Sequence, residues 1–164
     1  MKQIGLISDT HGFLDETVFQ HFSQCDEIWH AGDFGSLELI RKLQAFKPLR
    51  GVYGNIDDSS IRQIFGEKLF FDCEELLVYM QHIGGYPGRY AKGVKDNIMA
   101  HHAKIFISGH SHILKVMYDE KLGCVHINPG AAGKHGWHTR RTIIRFQIDK
   151  MDIRNCEVIE LDVS

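Results

Sequence analysis

Apolar runs of strand length recur along the chain, and each run ends in a polar side chain that can bind a divalent metal ion. In chain order the residues at these strand ends are Asp9 with His11, Asp33, Asn55, His82, and His110 with His112. A glycine directly precedes Asp33, Asn55 and His110, where it lets the backbone turn sharply and approach an ion or a neighbouring chain closely. Open α/β sheets hold their ligands at the carboxyl ends of strands, so the pattern predicts a fold that gathers these strand ends.

The first half of the chain alternates strands with amphipathic helices. Apolar spacing predicts helices over residues 15–24, 36–46 and 60–65, with Ser36 capping the second. Strand–helix–strand–helix–strand is the signature of βαβ units and a parallel sheet. Asp57 precedes the third helix, and we expect it to cap that helix rather than to act in catalysis.

After residue 67 the pattern changes to consecutive strands. A hairpin is predicted with its turn at residues 72–74, followed by a helix over 95–103 and by strands over 104–108, 114–118, 124–128, 142–148 and 151–159. We expect this half to be largely antiparallel. The glycine-rich stretch 83–90 lacks the Gly-Lys-Ser/Thr ending of a phosphate-binding loop. The loosest segment is 130–136, and we take His135 and the nearby His138 as surface residues.

Composition narrows the class of protein. With 164 residues, we expect one domain over residues 1–164 with a proper core. The formal net charge of −2 argues against a nucleic-acid or anionic-membrane binder. No apolar stretch approaches the roughly 20 residues that span a bilayer, and Asp9 interrupts the only N-terminal apolar run, so no signal peptide is expected. Four cysteines without a Cys-x-x-Cys pair indicate reduced, mostly buried thiols and a cytoplasmic protein.

The seven residues at the strand ends together favour a metal site over unrelated structural roles. Taken alone, Asp9 and Thr10 could cap the helix that follows them. Caps and core histidines, however, have no reason to recur at strand ends. Seven nitrogen and oxygen ligands are too many for one tetrahedral zinc ion, but they suit two ions about 3.5–4 Å apart that share a carboxylate. A structural zinc site is not favoured, because such sites use Cys and every Cys here lies outside the pattern.

The ordered combination Asp9-x-His11, Gly32-Asp33, Gly54-Asn55, His82 and Gly109-His110-x-His112 resembles the calcineurin-like metallophosphoesterase superfamily. The short length and the Asn128-Pro129-Gly130 segment look most like its small bacterial and archaeal phosphodiesterase branch. The match spans residues 9–130, most of the chain. The resemblance implies an α/β (α+β) fold, in which two mixed β-sheets pack as a sandwich flanked by helices in four αββα layers.

The resemblance also implies a set of roles for the seven residues. Asp9, His11 and His112 would hold a first metal ion, Asp33 would bridge, and Asn55, His82 and His110 would hold a second. Asn55 is also the candidate catalytic residue. A metal-bridging hydroxide would attack phosphorus in line, and the metals would stabilise the developing charge. The mixed ligands suit manganese better than magnesium, so we expect two divalent ions, manganese first, with iron, zinc or nickel as other candidates.

Two positions depart from the family pattern. Many members carry a histidine directly after the asparagine, which protonates the leaving oxygen, but here that position is Ile56. The chain therefore offers no obvious general acid, and Asp57 is only a weak substitute. Ile83 follows His82 where a glycine is common, which affects the loop path rather than the ligand.

The favoured hypothesis is a metal-dependent phosphodiesterase acting on small phosphate esters. A phosphomonoesterase or nucleotidase is the rival within enzymes. A protein-binding scaffold is the rival from another class, since a retromer subunit resembles this fold. We expect a small phosphate-ester substrate and no nucleic-acid or membrane partner, and a homo-oligomer is left open. The physiological substrate and the native metal do not follow from the sequence.

Overall fold

The structure is a computed structural model and describes residues 1–161. Twelve strands and four helices follow in the order β1 Lys2–Ile7, α1 Thr17–His21, β2 Glu27–His30, α2 Leu37–Phe46, β3 Leu49–Gly51, α3 Ser59–Arg62, β4 Lys68–Cys73, β5 Leu76–Gln81, β6 Gly85–Tyr86, β7 Arg89–Tyr90, α4 Val94–His101, β8 Ile105–Ile107, β9 Lys115–Asp119, β10 Cys124–Asn128, β11 Thr142–Asp149 and β12 Asp152–Glu160. The predicted domain runs to Ser164, so its last three residues lie outside this description.

Most of these strands form two five-stranded mixed sheets. The first sheet has the order β12-β11-β1-β2-β3, with β1, β2 and β3 parallel and β11 antiparallel to β1. The second has the order β4-β5-β8-β10-β9, with β5, β8 and β10 parallel and both edges antiparallel. The expected fold of two mixed sheets with flanking helices is confirmed. The expectation of a largely antiparallel second half is wrong at the centre of this second sheet, because α4 provides the crossover that parallel pairing of β5 and β8 requires.

Three apolar clusters separate the layers of the fold. The first lies between the sheets and takes Leu6 and Trp29 from one sheet and Met80 and Ile107 from the other. The second lies between the first sheet and helices α1 and α2, and the third lies between the second sheet and α4. Successive strand residues point to opposite faces, so strands covered on both sides are apolar throughout. This explains why the strands read as continuous apolar runs in the sequence.

Local deviations from the predicted elements have identifiable causes. Helix α1 is shorter than the predicted 15–24, because the chain leaves helical geometry at Phe22, whose ring packs over Gly5. Ser36 caps α2 as predicted, since its Oγ accepts from the backbone N–H of Leu39 at 3.2 Å. Asp57 does not cap α3. That position belongs to Asp58, whose Oδ1 accepts from the N–H of Ile61 at 3.2 Å.

Two further expectations can be compared with the structure. No cysteine forms a disulfide within residues 1–161; Cys25, Cys73 and Cys124 are buried and Cys156 is exposed. Over the same residues, no helix is both long and apolar enough to cross a membrane. The glycine-rich stretch, for which no strand was predicted, folds into the short β6–β7 hairpin.

The two tryptophans provide a matched test of the core between the sheets. Trp29 is 0% exposed, contacts the rings of Phe71 and Phe146, and donates from Nε1 to Glu27 Oε1 at 2.6 Å. Trp137 is 101% exposed. We expect Trp29→Ala to lower the free energy of unfolding by about 3–5 kcal/mol, as large-to-small substitutions in cores do. Trp137→Ala should leave it nearly unchanged. Urea denaturation of both variants checks this, and equal losses would contradict the assigned core.

Candidate metal centre

The loops that leave five strands converge at one end of the sandwich. They follow β1, β2 and β3 of the first sheet and β5 and β8 of the second. Together they bring all seven candidate residues into one centre: Asp9, His11, Asp33, Asn55, His82, His110 and His112. The strand ends therefore meet across two facing sheets rather than along the edge of a single sheet.

Asp9, His11 and His112 form one group whose ligand atoms all lie within 4.8 Å of one another. Asp9 Oδ1 lies 3.2 Å from His112 Nε2 and 3.9 Å from His11 Nε2. Among the described residues, Asp9 Oδ1 and His11 Nε2 are buried polar atoms that have no hydrogen-bond partner. Burying such atoms without a partner is costly. A divalent cation between them would satisfy both, so the chemistry of this group fits a metal ion.

Asp33, His82 and His110 form a second group with the same spacing. Asp33 Oδ2 lies 3.2 Å from His82 Nε2, and it also lies 3.4 Å from His11 Nε2 of the first group. Asn55 Oδ1 completes the second group, at 3.1 Å from His82 Nε2 and 2.9 Å from His110 Nδ1. One oxygen of Asp33 therefore faces both groups.

Each carboxylate is held through one oxygen and directs the other into the centre. Asp9 Oδ2 accepts from Ser8 Oγ at 2.6 Å and from the backbone N–H of His110 at 3.1 Å. Asp33 Oδ1 accepts from the backbone N–H of Ile56 at 3.0 Å. His82 is fixed in the same way, because its Nδ1 lies 2.7 Å from the carbonyl oxygen of Ala31, which can only accept. Nδ1 of His82 therefore carries a proton, and Nε2 is the ring nitrogen that faces the carboxylates.

These contacts keep both carboxylates charged. Burial alone would raise the pKa of Asp9, but interactions with His11, His112, His82 and Ser8 outweigh burial and hold that pKa far below its usual range. Burial also opposes ionisation of Asp33, whose pKa is nevertheless lowered, chiefly by His82. Two anionic carboxylates thus sit close together at this end of the fold.

Five of the seven residues adopt the left-handed backbone conformation. The φ angles are 53° at Asp9, 47° at His11, 59° at Asp33, 69° at His110 and 62° at His112. Non-glycine residues seldom adopt positive φ, and such strain of order 1–3 kcal/mol clusters at functional sites. The loops turn abruptly after each strand, and this turn points the side chains toward the shared centre.

The glycines that precede the site residues are required by close approach, as the sequence suggested. A Cβ at Gly32 would lie 2.6 Å from Nδ1 of His82. A Cβ at Gly54 would overlap Asp33 Oδ1, and one at Gly109 would overlap Ser8 Oγ. Any larger residue at these positions would push a site side chain out of place.

Asp57 and His30 build the frame around the centre. Asp57 accepts from the backbone N–H groups of Gly54 at 2.9 Å, Gly35 at 3.0 Å and Phe34 at 3.2 Å, and so ties the loop after β3 to the loop after β2. His30 is fully buried, which lowers its pKa to about 3, and its Nε2 lies 3.0 Å from Thr10 Oγ1. No role was predicted for His30, because it lies within an apolar strand.

His135 and His138 lie beside the centre. The prediction that they are surface residues is confirmed for His135, whereas their contacts with the ligand residues were not predicted. His135 is exposed, but its ring stacks on His11 with centroids 4.8 Å apart. His138 is half-buried, and its Nδ1 lies 3.2 Å from His112 Nδ1. The available signal was two histidines three residues apart, following the Asn128-Pro129-Gly130 segment in a glycine-containing stretch.

A cavity of about 490 Å³ opens onto both groups. Its lining comprises His11, Asp33, Asn55, Ile56, His110, Ser111, His112, Ile113, His135, Gly136, Trp137 and His138. None of these lining residues is Lys or Arg. The rim of the cavity is instead apolar, since Ile56, Ile113 and Trp137 are all exposed there.

The close packing at Gly54 gives a direct test of the geometry. We expect Gly54→Ala to reduce the free energy of unfolding by about 1–3 kcal/mol, because the added Cβ would displace Asp33 in a well-packed region. Gly66→Ala is the matched control, since a Cβ there meets only the carbonyl of Lys68 at 3.5 Å. Chemical denaturation of the two variants measures the difference. Equal stability would contradict the contact between Gly54 and Asp33.

Comparisons with known proteins agree with this geometry. Residues 1–151 match the model of the calcineurin-like phosphoesterase superfamily domain. A protein of Methanothermobacter thermautotrophicus named "Probable metallophosphoesterase" is 31% identical over 133 residues, covering 78% of this chain and 76% of that protein.

Solved structures share the fold at lower sequence identity. A novel archaeal phosphodiesterase is 23% identical with a TM-score of 0.77, covering 97% of this chain and 99% of that one. Wild-type Vps29 from Entamoeba histolytica, complexed with Zn²⁺, is 16% identical with a TM-score of 0.71, covering 96% and 98%. From the family model and the M. thermautotrophicus relative together, we conclude that the chain belongs to the calcineurin-like phosphoesterase superfamily.

Proposed function

We propose that this chain is a metal-dependent phosphodiesterase that hydrolyses small phosphate esters with two divalent ions. The observation that carries the proposal is Asp33 Oδ2, which lies 3.2 Å from an imidazole nitrogen of one group and 3.4 Å from an imidazole nitrogen of the other. Membership of the superfamily and the fold shared with an archaeal phosphodiesterase support it. In this proposal Asp33 is the shared carboxylate of a two-ion site.

The two groups define the ligand sets of the proposal. Asp9, His11 and His112 would hold the first ion, and Asn55, His82 and His110 would hold the second, with Asp33 between them. When bound, the ions would supply Lewis acidity to the phosphate oxygens and lower the pKa of water, which provides a nucleophile at neutral pH. Mixed imidazole, carboxylate and amide ligands favour manganese, iron, zinc or nickel over magnesium, and we expect manganese to serve best.

Asn55 would contact the substrate as well as an ion. Its Oδ1 faces the imidazoles of His82 and His110, which leaves the amide nitrogen as the donor on the cavity side. This donor could hold a phosphate oxygen in place while the ester bond breaks. Asn55 is therefore our candidate catalytic residue.

The cavity lining favours a diester over a monoester. A phosphate monoester carries a charge of about −1.5 to −2 at pH 7, because its second pKa is near 6, whereas a diester carries a single negative charge. The lining residues include no Lys or Arg, so only the ions would stabilise the second negative charge of a monoester. The exposed side chains of Ile56, Ile113 and Trp137 suit the second ester group of a diester.

The alternatives from the sequence are less well supported. A monoesterase or nucleotidase would gain from cationic side chains around the phosphate, and the lining residues include none. A protein-binding scaffold has no need for a complete set of ligand-type side chains, or for two buried polar atoms left without partners. The likeness to Vps29 is one of fold.

The extent and location of the protein remain part of the same proposal. The core between the sheets joins strands from both ends of the described chain, including β1 and β11, which supports one domain over residues 1–164. We propose a cytoplasmic protein, because its four cysteines lack a paired spacing. We also propose a small phosphate-ester substrate and no nucleic-acid partner, the latter because the net charge is slightly acidic at −2.

Metal dependence is the first test of this function. Exhaustive chelation should abolish hydrolysis of bis(p-nitrophenyl) phosphate, and added manganese should restore it, with the diester turned over faster than p-nitrophenyl phosphate. Asp33→Asn should lose bound metal and activity together while circular dichroism shows an intact fold, because the amide cannot offset the repulsion between two ions. Full activity in a preparation that contains no metal by elemental analysis would contradict the mechanism. A variant that keeps both ions and a near-normal rate would contradict the role of Asp33.

The leaving group is the second test. Ile56 cannot donate a proton, and Asp57 cannot serve either, because both of its oxygens accept backbone hydrogen bonds. We expect the rate to depend steeply on leaving-group pKa, so that aryl diesters react far faster than alkyl diesters. General acid help is worth about 10²–10⁴-fold, so Ile56→His should accelerate alkyl diesters more than aryl diesters. A plot of rate against leaving-group pKa checks this. A parent slope as shallow as that of Ile56→His would contradict it.

A further inference from the structure

The segment from Gly133 to His138 lies against the first metal-binding group. Backbone bonds anchor its start to the loop of Asp9, since the N–H of Gly133 donates to the Asp9 carbonyl at 3.0 Å and the N–H of Ala132 donates to Ser8 at 2.9 Å. Only glycine fits at 136, because a Cβ there would overlap Nδ1 of His112. The segment is thus built to approach His112 closely.

Two hydrogen bonds of His138 define where its ring proton lies. Its Nε2 lies 2.8 Å from the carbonyl oxygen of Gly133. A carbonyl can only accept, so His138 Nε2 carries the proton. With one ring proton, His138 Nδ1 has a lone pair, and its neighbour at 3.2 Å, His112 Nδ1, must donate.

Because His112 Nδ1 donates this hydrogen bond, a neutral His112 ring has no proton on its other nitrogen, Nε2. If Nδ1 carries the ring proton, Nε2 has a lone pair and lies 3.2 Å from Asp9 Oδ1. Two acceptors facing each other repel unless a cation lies between them.

We propose that His138 is a positioning residue that holds His112 in its Nδ1–H tautomer, so that Nε2 of His112 presents a lone pair to the first ion. This inference rests on the two-ion site of the proposed function. In the second group a backbone carbonyl, that of Ala31, does the same for His82 at 2.7 Å. The first group uses a side chain, which makes its metal affinity open to a single substitution.

Three variants separate positioning from mere packing. His138→Leu removes the acceptor for His112 Nδ1. His138→Asn retains one, because its Oδ1 can take the place of His138 Nδ1. His135→Leu is the matched control. It removes another imidazole from the same segment, but the ring of His135 contacts the ligand residue His11 only by stacking.

The experiment is a zinc titration of each metal-free variant against a competing chelator. The zinc site that is lost in His11→Ala identifies the first group. Substituting a residue that hydrogen-bonds to a metal ligand typically costs about 10–100-fold in metal affinity, so we expect His138→Leu to weaken the first site by that factor and to leave the second unchanged. His138→Asn should recover much of the loss, and His135→Leu should lose little. Ring ¹⁵N spectra of the zinc-loaded parent should report His112 as the Nδ1–H tautomer.

Each contrary outcome has a distinct meaning. Equal losses in His138→Leu and His135→Leu, equal weakening of both zinc sites, or an Nε2–H tautomer for His112 in the zinc-loaded parent would overturn the role of His138 while leaving the two-ion site intact. Failure of the parent protein to bind zinc or manganese at all would overturn the proposed function and this inference with it. If His138→Leu does not fold, the comparison of His138→Asn with the parent decides, and a loss of about 100-fold in His138→Asn would overturn the inference.

Discussion

Two buried carboxylates of like charge, Asp9 and Asp33, face one centre, and the rest of the structure is arranged to make this tolerable. Burial raises the pKa of both carboxylates and the charge of Asp9 raises that of Asp33 further, yet both stay ionised because imidazoles and hydrogen-bond donors surround them. One oxygen of each carboxylate accepts hydrogen bonds from the protein, and the other oxygen points into the centre. Positive charge is what such a centre lacks, and the imidazoles around it are the natural partners for a shared cation.

The fold supplies this arrangement through abrupt turns at strand ends. Parallel β1, β2 and β3 deliver the carboxylates and the asparagine, and β5 and β8 deliver most of the histidines from the facing sheet. Positive φ angles at five of the seven residues and glycines packed against side chains show that the loops are held in unfavourable shapes. The three apolar clusters between layers supply the stability that such strain requires. The core and the site are therefore parts of one energetic balance.

Local patterns in the sequence predicted most of the strands and all seven residues that meet at the centre, whereas the packing of two mixed sheets in layers was expected only from the resemblance to the superfamily. Apolar runs report burial on two faces, and a ligand-type residue after such a run reports a strand end. Contacts between residues far apart in the sequence could not be predicted in this way. Nothing local distinguishes Asp57 from Asp58, and only the folded chain reveals that Asp57 turns inward to three backbone N–H groups. His135 and His138 follow no strand directly, so their approach to His11 and His112 depends on a loop path that periodicity does not encode.

Each metal-binding group draws ligands from both sheets, and this has a mechanical consequence. Asp9 and His11 leave the first sheet while His112 leaves the second, and Asp33 likewise meets His82 and His110 across the interface. An ion in either group would join chain segments about a hundred or about fifty residues apart, as a cross-link does, and would resist separation of the two layers at this end. The opposite end of the sandwich has no such clamp among the residues described. With the ions bound, any separation of the two sheets would therefore begin at the end of the sandwich opposite the metal centre.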